Sequence, residues 1–298
     1  MLASQARHRG SIPLTRSGMN YCFINGRIVS DAQASVGVHD VGFLRGYGVS
    51  DPLRTYNGKP FMLDEHIERL AFSGTMLGLK LPYPRAKIKR IVGALLAKNN
   101  PPVGGQEASI RMILTGGESK DGMGYDKRHP GFFILVSSLH ALPESAYTKG
   151  LKLITREYQR ELPEAKTLNY VEALLARDAC KKAGALEPLY VSRGKVLEAA
   201  TSNFFIVKNG ALITPKQNIL HGITRRAAID CARELGMRAV ERDIAVRELK
   251  TADEAFITAT SKEIAPVVRI NGMKIGNGRV GKTTHALMGA FRNFTAAW

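Results

Sequence analysis

The feature that most restricts the fold is a series of Asn-Gly steps set between short apolar runs. Asn25-Gly26 divides CFINGRIV and Asn57-Gly58 divides LRTYNGKPFML, while Lys208-Asn209-Gly210 and Asn271-Gly272 lie further along. Asn and Gly tolerate the positive φ of a tight hairpin, so each step predicts a pair of antiparallel strands. Helix-period segments separate these hairpins. In DEHIERLAFSGTMLGL, Ile67, Leu70, Ala71 and Met76 share a face and Asp64 is the expected cap. PRAKIKRIVGALLAKNN predicts a second helix, stopped at Asn99-Asn100-Pro101-Pro102, and ASIRMILTGG and GFFILVSSL read as strands.

The polar, proline-containing stretch ALPESAYTKG, residues 141–150, is the expected linker. Beyond it come the strand LKLITREY, a helix over 169–184 closed near Gly184, and the strands PLYV, KVLEA, NFFIV and ALIT. A helix from Thr224 to Leu235 ends at Gly236; strand AFITAT and a final helix near 282–296 follow. Strands in runs with helices between them predict an α+β chain of two domains, over 19–140 and 151–298, rather than a doubly wound sheet. Residues 1–18 hold three Arg and no acidic residue. They lack the apolar stretch of a secretory signal and are expected to be a flexible extension, transit-like or upstream of a start at Met19.

A 298-residue chain with 44% hydrophobic content has enough apolar surface for such a core. Its apolar runs, the best being FFILVSSL, fall short of the roughly 20 residues that span a bilayer. Cys22, Cys180 and Cys231 are scattered, with no CxxC, which argues against a disulfide framework or a metal site and fits a reducing cytoplasm. The formal charge of +17 is spread in short pieces interrupted by acids. No nucleic-acid-binding motif accompanies it, so nucleic acid is not the expected partner, although the charge favours anionic small molecules.

Three places hold residues suited to chemistry. Lys166 in EAKTLNYVEALLA precedes an expected helix cap at Asn169 and sits beside apolar Ala165 and Leu168. A lysine held where its amine is available unprotonated forms a Schiff base with an aldehyde. Glu198 in GKVLEAATSNFFIV lies between apolar strands, where a carboxylate needs a partner to stay charged. Gly222-Ile223-Thr224 in LHGITRR turn into a helix whose free amides suit an anion. Taken singly, these read more simply as a surface lysine, a turn carboxylate and a capped helix. Taken together they are an amine for an aldehyde, a carboxylate for a pyridinium nitrogen and a helix start for a phosphate.

The order of the motifs FLRGYG, LDEHIERL, IRMILTGG, ELPEAKTLNY, LEAATSNFFIV, LHGITRR and FITATSKEIAPV resembles the fold-type IV pyridoxal-phosphate aminotransferases over about residues 20–290. That family includes D-amino-acid and branched-chain amino-acid transaminases and aminodeoxychorismate lyase. The resemblance implies the two-domain D-amino-acid aminotransferase-like fold, pyridoxal 5'-phosphate as cofactor, and a homodimer. It makes Lys166 the Schiff-base lysine and proton shuttle and Glu198 the partner of the ring nitrogen. It assigns phosphate contacts to Arg69, Gly222, Ile223, Thr224 and Thr260, and puts Tyr170 near the ring hydroxyl. The implied reaction moves an amino group between an amino acid and a 2-oxo acid in two half-reactions.

The implied substrate differs between branches of the family. The bacterial D-amino-acid enzymes hold the α-carboxylate with Arg and His after the TxG-type strand; TGGESKDGMGYDK offers Asp121 and Met123 instead. The set RGYG, LTGG, RELPEAKTLNY and GITRR is similar to a less typical D-amino-acid subgroup, in which Arg45 would serve the carboxylate and a second arginine would stand at Thr201. A D-amino-acid transaminase is the favoured expectation. Arg111 and the GMG at 122–124 fit the branched-chain L-amino-acid branch, and Ser261 joins the candidate substrate contacts. A lyase, an (R)-amine transaminase and a non-catalytic basic binding protein are the remaining alternatives. Ser50 stands where the family usually has a large residue, and Pro52 interrupts a strand; the expectation is an edge strand or bulge, or a roomier pocket wall.

Overall fold

A computed structural model of the protein describes residues 21–99 and 107–298. The expectations for residues 1–18, and for Asn100-Pro101-Pro102 as a helix stop, lie outside the described residues. The first part contains β1 (Tyr21–Ile24), β2 (Arg27–Ser30), α1 (Val41–Arg45), β3 (Gly48–Tyr56), β4 (Lys59–Pro60), α2 (Leu63–Met76), α3 (Arg85–Asn99), β5 (Ala108–Thr115) and β6 (Gly131–Ser138). Its strands form one sheet in the order β2-β1-β6-β5-β3-β4. The Asn-Gly turns fold as expected: Asn25 and Asn57 have φ of 45° and 51°.

Alternation buries one face of this sheet. Ile110, Met112 and Leu114 of β5 are fully buried and pack with Ile67 and Leu70 of α2 and Ile88 and Leu95 of α3. Met76, expected on the buried face of α2, is exposed. Asp64 is not the cap: α2 starts one residue earlier, Met62 is the cap residue with φ 49°, and Asp64 pairs with Lys89 at 2.7 Å. From the first turn its carboxylate still suits the positive end of the helix.

The second part contains α4 (Glu144–Thr148), β7 (Leu151–Glu157), α5 (Val171–Leu175), α6 (Arg177–Ala183), β8 (Pro188–Ser192), β9 (Lys195–Ala199), β10 (Asn203–Lys208), β11 (Ala211–Thr214) and α7 (Ile223–Glu234). It ends with β12 (Ala239–Glu241), β13 (Ile244–Ala245), β14 (Glu254–Ala259), β15 (Glu263–Ile270), β16 (Met273–Lys274) and α8 (Lys282–Ala296). The sheet order is β12-β11-β10-β14-β15-β7-β8-β9-β13, with β16 on β15. Phe204, Phe205 and Phe256 are fully buried, and the rings of Phe205 and Phe256 stack 4.7 Å apart. Burial of each such side chain contributes about 1.5–3 kcal/mol. No helix among the described residues is long and apolar enough to cross a membrane.

The segment expected as a linker carries α4, whose Ala146 and Tyr147 are buried. The expected helix over 169–184 is two, α5 and α6, divided at Ala176. The cap residue of α5 is Tyr170 rather than Asn169, although the Asn169 side chain accepts the Val171 amide at 3.3 Å. Gly184 closes α6 with φ 61°.

Pro52 lies inside an unbroken register, opposite Arg111 of β5. On the other side of β3 the Ser50 amide donates to the Lys166 carbonyl at 2.9 Å, and the Leu168 amide donates to the Gly48 carbonyl at 2.9 Å. By strand alternation the Pro52 nitrogen points to this outer side, where the added segment has ended and no ladder donor is needed. β3 is not the edge strand of the sheet, since β4 pairs with its Thr55 and Tyr56, but at Pro52 its outer side is locally unpaired, and there is no bulge.

Candidate active site

The same edge pairing fixes the position of Lys166. Its carbonyl is held by Ser50 and its amide donates to Ser73 Oγ of α2 at 3.1 Å. Ala165 just before it is fully buried. The backbone is thus pinned between β3 and α2 while the side chain enters a cavity of about 480 Å³. There Lys166 Nζ donates to the Tyr170 hydroxyl at 3.3 Å. The lysine charge holds the Tyr170 phenol below the ordinary tyrosine value, against the effect of burial.

Glu198, at the end of β9, lines the same cavity and is 6% exposed. Burial pushes its carboxyl above the ordinary glutamate range, and Arg160 opposes that shift. Arg160 Nε and Nη2 donate to Glu198 Oε1 at 2.9 and 2.7 Å, and the Leu220 amide donates to Oε2 at 3.0 Å. Arg160 also donates to the carbonyls of Ala165, at 2.8 Å, and Pro163. One guanidinium therefore joins the buried carboxylate to the chain just before Lys166. Arg160 stands in the RELPEAKTLNY motif, but nothing local identifies its partner 38 residues away.

The start of α7 forms another wall. Gly222 is its cap residue, no side chain caps it, and its first turn carries no acidic residue. The amides of Ile223 and Thr224 therefore lack a side-chain acceptor and suit an anion. Glycine is required at 222: a Cβ there would lie 2.1 Å from Asn203 Oδ1. Asn203 is itself fixed by donating to the Leu220 carbonyl at 2.6 Å.

Arg69 reaches the cavity already engaged. Its Nε and Nη2 each donate to the fully buried Asp51 carboxylate at 2.8 Å, and His66 Nδ1 lies 2.6 Å from Asp51 Oδ1. Burial acts to raise the Asp51 carboxyl, but Arg69 and His66 outweigh it and hold it at about 2. Burial lowers the His66 value, against the Asp51 charge and hydrogen bond, which act to raise it. Asp51 lies between Ser50 and Pro52; its value in the sequence becomes visible only once α2 places Arg69 beside it.

Of the other expected residues, Ser50, Thr260, Ser261 and Arg111 line the cavity, and Thr260 Oγ1 donates to the Pro52 carbonyl at 3.2 Å. Thr201 also lines it, but its hydroxyl donates to Glu187 at 2.7 Å. Arg45 is not brought in: its side chain is exposed at the end of α1 and donates to the Leu44 carbonyl at 3.2 Å. Asp121 is occupied as a turn acceptor for the Met123 and Gly124 amides at 2.9 and 2.6 Å. A second cavity of about 540 Å³, bordered by Tyr83, Glu118 and Arg128, contains none of the expected site residues.

The cavity residues fit pyridoxal phosphate. A lysine, a desolvated carboxylate and an uncapped helix start face one space. Thr258 on its wall carries a fully buried hydroxyl with no protein partner. Such a hydroxyl is costly unless a ligand or water satisfies it. Site and fold together place the protein among the fold-type IV pyridoxal-phosphate enzymes. The profile of the class IV aminotransferases matches residues 48–270. A protein named as a candidate branched-chain-amino-acid aminotransferase in Methanocaldococcus jannaschii is 36% identical over 93% of this chain and 96% of its own. The D-alanine aminotransferase of Listeria innocua is 33% identical over 90% and 93%. The branched-chain amino acid aminotransferase of Escherichia coli superposes with a TM-score of 0.87 at 28% identity, over 94% of this chain and 95% of that one. The chain belongs to the class IV aminotransferases and is a pyridoxal-phosphate-dependent transaminase.

Proposed function

We propose that the protein exchanges an amino group between an amino acid and a 2-oxo acid in two ping-pong half-reactions centred on Lys166. The supporting observation is the convergence of Lys166, Glu198 and the start of α7 on one cavity. When bound, pyridoxal phosphate supplies an aldehyde carbon that exchanges amines and a ring that accepts electrons. Lys166 Nζ would hold that carbon in the absence of substrate and, when free, would carry a proton between the substrate Cα and the cofactor carbon. Glu198 would keep the ring nitrogen protonated, with Arg160 fixing the carboxylate's orientation, and the amides of Ile223 and Thr224 would hold the phosphate.

For the donor we favour a branched-chain L-amino acid. Besides Lys166, the cation on the described cavity wall outside the Arg69 and Arg160 pairs is Arg111, which suits a substrate carboxylate. In the D-amino-acid reading, which the motif set RGYG, LTGG, RELPEAKTLNY and GITRR favours, the carboxylate would fall to Arg45, which lies away from this cavity and would have to be delivered by a second copy of the chain. The D-alanine aminotransferases at 32–33% identity support that second reading. Mixing the cofactor-loaded protein with L-Leu, L-Val, D-Ala, D-Glu and (R)-1-phenylethylamine and following loss of its visible absorbance separates the two. L-Leu and L-Val are expected to bleach it. Bleaching by the D-amino acids alone would establish the second reading, and bleaching by none would remove transamination of these donors.

A homodimer fits the surface. Val171, Leu174 and Leu175 of α5 are 62%, 67% and 67% exposed, and Leu174 borders the cavity. They share one face of the helix, and a second copy would cover them.

A further inference from the structure

Resting on that reading of the cavity as the reaction site, we propose that Lys262 is a positioning residue for transamination. Its ammonium ties the turn after β9 to the turn after β14 and thereby fixes one wall of the active-site cavity.

Lys262 Nζ donates to Glu187 Oε1 at 2.6 Å, Thr201 Oγ1 at 2.5 Å and Ser202 Oγ at 2.8 Å. All three ammonium protons are used. Glu187 is equally satisfied. Its Oε1 also accepts the Ser202 hydroxyl at 2.6 Å, and its Oε2 accepts the Thr201 amide at 2.8 Å and hydroxyl at 2.7 Å. The Lys262 and Glu187 side chains are 12% and 7% exposed.

The two turns carry cavity-lining residues, Thr201 and Ser202 on one and Thr260 and Ser261 on the other. They sit at the same end of adjacent strands, where the β10–β14 ladder stops at the Asn203–Thr258 pair. Beyond that pair, the network around Lys262 is what joins them. The second turn is restrained on its far side too. The Tyr147 hydroxyl donates to the Lys262 carbonyl at 3.2 Å. Glu263, with φ 54°, accepts from Arg54 and the Tyr56 hydroxyl at 2.9 Å each.

Burying an ion pair adds little net stability compared with an apolar pair of the same volume. Its three fixed donor directions instead specify where each turn stands, and catalytic geometry depends on such support. Removing the ammonium leaves Thr201, Ser202 and Glu187 free to drift relative to Thr260 and Ser261.

The test compares Lys262→Met, Lys262→Arg and the double variant Glu187→Gln/Lys262→Met with the parent, all as holoenzyme. The readouts are cofactor dissociation, KM and kcat, melting temperature, and hydrogen exchange at residues 199–202 and 259–262. Lys262→Met is expected to raise KM and weaken cofactor binding by about ten- to a hundredfold, with a smaller effect on kcat and faster exchange at both turns. Lys262→Arg, which keeps a donor, should recover part of this. The double variant removes both charges and keeps the test decisive if Lys262→Met does not fold. A lower melting temperature with KM and cofactor affinity changed by less than about twofold would show a merely structural pair and overturn the proposal. Exchange needs no turnover. If the parent transaminates no donor while exchange still follows Lys262, the functional reading fails and the clamp stands.

Discussion

Asp51 has no solvent exposure and answers two side chains, Arg69 on both oxygens and His66 on one. With its carboxyl held at about 2, below the ordinary value near 3.9, it adds stability that is complete above about pH 4 and is lost as pH falls toward 2. Asp51→Asn is expected to remove that acid-side loss. It should also lower stability at neutral pH by about 2–3 kcal/mol, because the partly buried Arg69 loses its charge partner. Denaturant unfolding at several pH values measures both; a variant as stable as the parent at pH 7 would contradict the account. Lys166 and Glu198 could be found in the sequence because each sits in a motif whose order is informative. Asp51 and Arg160 could not, since a carboxylate–guanidinium pair leaves no local pattern and its partners meet only in the folded chain. Arg45 shows the converse: it lies in a recognisable motif, FLRGYG, yet the αL turn at Gly46 leaves it outside the cavity.

Hairpins are the elements most legible in the sequence, because Asn25, Asn57, Asn209 and Asn271 all adopt the positive φ their turns require. The parallel pairing of β7 with β15 and β8, by contrast, joins segments whose local sequences carry no sign of the partner. The division of α5 from α6 at Ala176 was equally hidden, since no Gly or Pro marks it. At α7 the decisive position is Gly222. In Gly222→Ala the added methyl must displace Asn203, which is already held by Leu220. The helix start should shift, weakening pyridoxal phosphate binding by about tenfold while binding of unphosphorylated pyridoxal changes little. Equal weakening of both ligands would show that the helix start does not hold the phosphate.

At the scale of the whole molecule, the 166–168 segment, which lies outside both sheets, pairs with β3, so a lysine of the second part is held by β3 and α2 of the first. The exposed face of α5 borders the same place. Val171→Glu/Leu175→Glu is expected to shift a dimer to monomer in sedimentation; an unchanged mass would assign that face another role. The central claim is that Lys166 carries the cofactor, and reduction of the loaded protein with borohydride followed by peptide mapping tests it most directly. The account expects the label on Lys166, and neither label nor turnover in Lys166→Ala, whose circular dichroism should match the parent. A label on a different lysine, or an active alanine variant, would contradict it.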